Sequence, residues 1–140
     1  MSDNGKYDPR RPHDLWLDCF ADYPTEQRPA FVYRRTTADE WEQLCDVAFP
    51  SETPEDTADK ETLREWTKAQ RERIYESLLV GLLGVKNQVN PVDGQPISSV
   101  TDTATMRLIV NPLEAQDLLA KRIRGGQLTA AEKKGSASSN

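Results

Sequence analysis

The feature that most constrains this chain is the run LLVGLLGVKN, residues 78–87, which is its most apolar stretch. It leads directly into QVNPVDGQPISS, where Asn90-Pro91 and Asp93-Gly94 are both turn signals. The leucines continue a helical spacing of three and four residues, so the run predicts the buried end of a helix that stops at Gly84. The Asp93-Gly94 pair then predicts a short hairpin.

Composition indicates one domain with an acidic surface. The chain has 140 residues, 36% of them hydrophobic and 29% charged, and its formal net charge is −5. An acidic balance argues against sequence-independent binding to nucleic acid, which requires Lys and Arg to neutralise phosphates. The two basic clusters, Arg34-Arg35 and residues 121–124, are interpreted as solvated faces or a helix C-terminus.

The chain has no apolar run long enough to span a membrane, and its first residues lack the apolar segment of a signal peptide. We therefore expect no membrane partner and a location in the cytoplasm. Cys19 and Cys45 are then expected to be reduced, and their spacing does not fit a zinc site.

The pattern of elements predicts an α+β fold that is mostly helical, with an N-terminal β-hairpin packed on a bundle of about four helices. FVYRR predicts the clearest strand, Thr37 to Glu40 forms a capping box, and Asn111-Pro112 starts the last helix. The predicted strands are 15–20 and 30–35, and the predicted helices are 38–48, 57–83, 101–110 and 112–124. A single domain, 14–126, is expected between a flexible arm, 1–13, and a flexible polar tail, 127–140.

No arrangement of residues indicates catalysis. The single histidine, His13, lies in the predicted arm, and no nucleophile–base pattern or phosphate-binding loop is present. His13, Asp14, Asp18 and Cys19 are potential metal ligands, but their spacing lacks the regularity of a metal site. We therefore predict a protein that is not an enzyme, with no catalytic, cofactor or metal site.

Tryptophan suggests where a partner binds. Trp16, Trp41 and Trp66 each stand among polar neighbours, and the simplest interpretation is that all three are core residues. The alternative is that Trp66, on the polar half of the predicted long helix, anchors a partner, since exposed tryptophan often dominates interfaces. Exposure and side-chain type extend the predicted contact set, which comprises Trp66, Arg73, Tyr75, Arg34 and Arg35.

The order of these segments resembles that of a group of tailed-phage proteins. RPAFVYRRTTADEWEQL, LLVGLLGVKN, DGQPIS, TDTATMRLIVNPLEAQDLLAKRI and LTAAEKKGS follow one another as they do in tail assembly chaperone-like proteins, over residues 15–134. One departure is that members of the group often carry a Gly-Trp pair where this chain has Leu83-Gly84-Val85.

The resemblance implies a phage assembly protein without catalytic residues. Its partners would be the tape-measure and tail-tube proteins before they polymerise, and a programmed frameshift near Lys133-Lys134 would extend the chain. Its location would be the host cytoplasm. Two alternatives stay open: a structural virion component of the connector or tail-terminator type, which stays in the virion, and a small host-directed binding protein. Assembly into a homo-oligomer also stays open.

Overall fold

The computed structural model describes residues 12–125, and within them the predicted α+β, mostly helical class is confirmed. Residues 1–11 and 126–140, which hold most of the predicted arm and all of the predicted tail, lie outside the described part. Five strands and four helices follow in chain order: β1 His13–Leu15, β2 Ala30–Tyr33, α1 Ala38–Ala48, α2 Lys60–Ser77, β3 Leu82–Lys86, β4 Gln88–Val89, β5 Pro96–Ile97, α3 Thr103–Ile109 and α4 Pro112–Arg124.

The main sheet has three antiparallel strands in the order β1-β2-β3. β2 is central, and Phe31 lies opposite Leu15 on one side and Val85 on the other. Phe31 and Tyr33 are buried, as expected for aromatic residues on a pleated, half-covered surface. The predicted hairpin of β1 and β2 therefore exists, and β3 completes it into a sheet.

Local capping chemistry sets the ends of α1 and α4. Thr37 accepts a hydrogen bond from the backbone N–H of Glu40, whose side chain accepts one from the N–H of Thr37. Asn111 and Glu114 make the same reciprocal pair at α4, and Gly125 ends that helix with a φ of 94°. The predicted bounds of these two helices are confirmed.

The predicted helix 57–83 is wrong at both ends. It begins at Lys60, because Asp59 caps it by accepting from the N–H of Thr62, and it ends at Ser77. Gly81 then turns the chain with a φ of 72°, and its carbonyl accepts from the N–H of Arg34. The following apolar residues pair with the open edge of β2 as a strand, so Gly84 lies in β3 and is not a helix cap.

Two smaller predictions also need correction. The strand predicted at 15–20 is His13–Leu15, and Asp18–Phe20 forms a single 3₁₀ turn instead. His13 thus lies in β1, opposite Tyr33, and not in the predicted arm. The predicted hairpin around Asp93-Gly94 is present as β4 and β5, with Gln88 opposite Ile97.

One apolar core joins the sheet to the helices. It includes Leu15 and Phe31 from the sheet, Leu44 from α1 and Leu118 and Leu119 from α4. Because α4 contributes to the centre of this core, core packing fixes the direction in which the other faces of α4 point. One of those faces forms a wall of the candidate site.

Candidate functional site

An apolar groove of about 520 Å³ lies between the end of α1, the middle of α2 and the second half of α4. Its α2 wall carries Trp66, Gln70 and Ile74, which are spaced by four residues and therefore share a helix face. Its α4 wall has the i, i+3, i+4, i+7 spacing of a single helix face and consists of Gln116, Leu119, Ala120 and Ile123.

The groove has buried apolar residues at its base and an exposed aromatic residue among its lining residues. Ile74 and Leu119 are buried in the core, whereas Trp66 is half-buried. Phe49, the C-cap residue that follows α1, is 74% exposed. A large aromatic side chain left this open beside an apolar groove is typical of surfaces that bind another protein.

Two side-chain hydrogen bonds beside the groove join its three helices. Gln70 donates from Nε2 to the backbone carbonyl of Val47 at 2.6 Å, which ties α2 to the end of α1. Trp41 donates from Nε1 to the carbonyl of Ile123 at 2.9 Å, which ties α1 to the last turn of α4. These bonds hold the three helices in place, and they leave the groove surface available for apolar contact.

The charged residues that line the groove are both arginines. Arg71 on α2 and Arg124 on α4 are exposed, and no carboxylate lines the groove among the described residues. The chain as a whole carries a net charge of −5. The groove is therefore a local cationic region on an acidic protein.

A second, polar cavity of about 670 Å³ lies beside the groove and shares Trp66 with it. It is formed by the segment after α1 and by Thr62 and Arg73 of α2, and its charged lining residues have both signs. Asp46 and Glu52 are its carboxylates. Trp66 thus lines both an apolar groove and a polar cavity.

The structure separates the five predicted contact residues. Trp66 lines the groove and the polar cavity, and Arg73 lines only the polar cavity. The expectation that Tyr75 is exposed is wrong, because it is 2% exposed and its hydroxyl donates to the carbonyl of Val110 at 2.7 Å. Burial also raises the pKa of the Tyr75 hydroxyl.

Arg34 and Arg35 lie apart from the groove. Arg34 makes a two-pronged ion pair with Glu40, with nitrogen–oxygen distances of 2.8 and 2.7 Å. These hydrogen bonds lower the pKa of the Glu40 carboxyl to about 2, and the backbone N–H of Thr37 contributes to that shift. Arg34 therefore fixes the entry to α1, while Arg35 is exposed.

The basic cluster at residues 121–124 is not simply a solvated face. The Lys121 ammonium is buried and donates to the carbonyl of Trp16 at 2.7 Å and to Asp18 at 3.0 Å. Arg122 is also buried and donates to the carbonyls of Arg34, at 3.1 Å, and Val80, at 3.0 Å. The cluster does lie at the C-terminus of a helix, as one of the two interpretations predicted. Its two buried cations, however, join α4 to the chain around the sheet.

The guanidinium of Arg122 also lies 4.1 Å from the ring centroid of Tyr33, where it makes a cation–π contact. Burial lowers the pKa of Arg122, since the charged form loses hydration.

Sequence reasoning identified Trp66 but missed the rest of the groove. Phe49 and Arg71 gave no local signal, and Arg124 was identified only as part of the basic cluster at 121–124, because their roles depend on how three helices pack. Trp41, interpreted as core, is 44% exposed.

Neither a protein-family model, nor a characterised protein, nor a solved structure matches this chain. None of the described helices is both long and apolar enough to pass through a lipid bilayer. Residues 12–125 contain no group of three or more His, Cys, Asp or Glu side chains arranged to hold a metal ion.

Proposed function

We propose that this chain is a non-enzymatic assembly protein of a tailed phage, a tail assembly chaperone that binds tape-measure or tail-tube subunits in the host cytoplasm. The observation that carries the proposal is the apolar groove beside Trp66. A chaperone of this kind must cover an apolar segment of its partner and release it later. The resemblance of the segment order to tail assembly chaperone-like proteins supplies the identity of the partner.

The groove suits binding better than chemistry. Its lining offers two aromatic rings, aliphatic side chains, amide groups, one threonine hydroxyl and two guanidinium groups. Acid–base and nucleophilic catalysis depend on titratable or nucleophilic groups held within hydrogen-bond reach of a substrate. Within residues 12–125, the groove lining contains no histidine, cysteine or carboxylate that would perform those steps or activate the threonine hydroxyl.

The size and composition of the groove support a side-chain docking mode. A volume of about 520 Å³ lies within the usual range of ligand pockets. Phe49 and Trp66 are amphipathic or apolar rings of low rotamer entropy, which makes them effective anchors for a partner. An apolar segment that enters would contact the aliphatic surface of Leu119 and Ile123.

The test is affinity capture of the tagged full-length protein from cells that express the structural genes adjacent to its own coding sequence. Ala120→Glu places a charge in the groove at an exposed helix position. Ala69→Glu is the matched control, because Ala69 is an exposed alanine on α2 that does not line the groove. Far-UV circular dichroism of both variants verifies that they fold.

We expect the unmodified protein and Ala69→Glu to capture a tape-measure or tail-tube protein, and Ala120→Glu to lose it. Capture of portal or connector subunits, or rings of the protein itself, would favour the virion component. Capture of a single host protein and no phage structural protein would favour the host-directed alternative. Equal capture of tail proteins by both variants would show that the groove is not the docking site.

A further inference from the structure

We infer that the groove accepts an amphipathic helix of the partner whose apolar stripe is flanked by glutamate or aspartate residues. This inference rests on the proposed function and specifies the partner's chemistry at the same site. It is carried by two independent observations, the helical spacing of the groove walls and the sign of the charges that line them.

The walls match the length of a short helical contact. Trp66 and Ile74 are eight residues apart on α2, so that wall extends about 12 Å along the helix axis. A partner helix covers this distance in about two turns, with apolar residues at i, i+3 or i+4, and i+7. The opposite wall on α4, from Gln116 to Ile123, covers nearly the same length.

The positive charges of the groove lining determine which residues should border the apolar stripe of the partner helix. Arg71 and Arg124 supply positive charge from two different helices, and the described lining contains no carboxylate to neutralise them. Both arginines are exposed, so they are available to carboxylates that border an apolar stripe. Lysine in those positions on the partner would instead meet like charge, and repulsion of that kind sets specificity.

The expected preference for acidic flanking residues would distinguish a specific partner helix from any other apolar segment. A bare apolar segment would form no ion pair with Arg71 or Arg124, whereas carboxylates on both sides of the stripe would form two attractive interactions. These interactions are exposed to solvent, so they should weaken as salt is added. Salt dependence therefore separates the charge contribution from the apolar contribution.

The test uses two labelled synthetic peptides of about 18 residues, long enough to form several helical turns. Both carry leucine at i, i+4 and i+7, and the flanking positions are Glu in one and Lys in the other. Binding to the full-length protein is followed by fluorescence anisotropy at about 0.05 M and about 0.5 M salt, where screening lengths differ several-fold.

We expect the Glu peptide to bind about tenfold more tightly than the Lys peptide at low salt, and the difference to shrink at high salt. Arg71→Glu combined with Arg124→Glu should reverse the preference. Lys68→Glu is the control for the charge change on α2, because Lys68 is exposed and does not line the groove; it should change affinity less than about twofold. Ala120→Glu should weaken both peptides.

Several outcomes would overturn the inference, and the first two leave the proposed function untouched. Equal affinity for the two peptides, still lost in Ala120→Glu, would show that charge does not select the partner. No affinity for either peptide, while tail proteins are captured through the groove, would exclude a helical occupant. Self-association that Ala120→Glu abolishes would identify a second copy as the occupant. Binding that requires deletion of residues 126–140 would identify the chain's own C-terminus.

Discussion

Replacing Tyr75 by phenylalanine tests whether this residue stabilises the fold or contacts a partner. The change keeps the buried ring, which also lies 4.3 Å from the guanidinium of Arg107, and removes only the hydroxyl. That hydroxyl donates to the carbonyl of Val110, the C-cap residue that follows α3. A buried hydrogen bond contributes about 1 kcal/mol, and a carbonyl left without its donor adds to the loss, so we expect unfolding to become easier by about 1–2 kcal/mol.

The assay is urea unfolding followed by far-UV circular dichroism, with a thermal scan as a second measurement. For a domain near 100 residues, this loss lowers the melting temperature by about 5–10 °C. Tyr23→Phe is the matched control, because Tyr23 is 45% exposed, and we expect a change within about 0.5 kcal/mol. Equal stability of the two variants would refute the structural role. Unchanged stability with loss of captured partner would restore Tyr75 as a contact residue.

Three further predictions concern the supports of the fold. Arg34 is the main cause that lowers the Glu40 pKa from its ordinary value of 4.5 to about 2. The Glu40 carboxylate therefore stabilises the fold above pH 4.5, and this contribution is lost as the pH falls towards 2. Glu40→Gln should flatten that part of the pH–stability curve by about 1 kcal/mol after solvent screening. Gly81→Ala should lower the free energy of unfolding in urea by at least about 1–2 kcal/mol, because φ is 72° and the new Cβ would lie 2.8 Å from a guanidinium nitrogen of the buried Arg122. Gly84→Ala is the control: its Cβ meets no atom within 4 Å, and it should cost less than about 0.5 kcal/mol. Asn111→Ala removes the cap of α4 and should lower the free energy of unfolding by about 1 kcal/mol, and an unchanged urea midpoint would contradict that role.

The elements that sequence predicted well are those set by neighbouring residues. The capping boxes at Thr37 and Asn111 place the starts of α1 and α4, because the residues that satisfy the free N–H groups are three positions apart in the chain. Gly125 ends α4 for a similarly local reason, its left-handed conformation. Local chemistry of this kind can be read without knowing the rest of the fold.

The strand β3 could not be predicted in the same way. A short apolar run is compatible with a buried helix end or a strand, and periodicity alone does not separate the two. The deciding interaction is non-local: β2 presents an open edge, and the N–H of Arg34 reaches the carbonyl of Gly81. Pairing with that edge satisfies the backbone groups of residues 82–86 that face β2, whereas a continued helix would have carried these residues away from the sheet.

The last turn of α4 carries both the basic cluster and part of the groove wall. Consecutive residues of a helix point about 100° apart, so four of them face every side of the helix. Lys121 and Arg122 are bound by carbonyls and carboxylates around the sheet, and this leaves Ile123 and Arg124 on the groove side. Trp41 fixes the same turn through the carbonyl of Ile123. A partner that binds the groove as proposed would therefore meet a wall whose position is already set, which would reduce the ordering cost that binding must overcome.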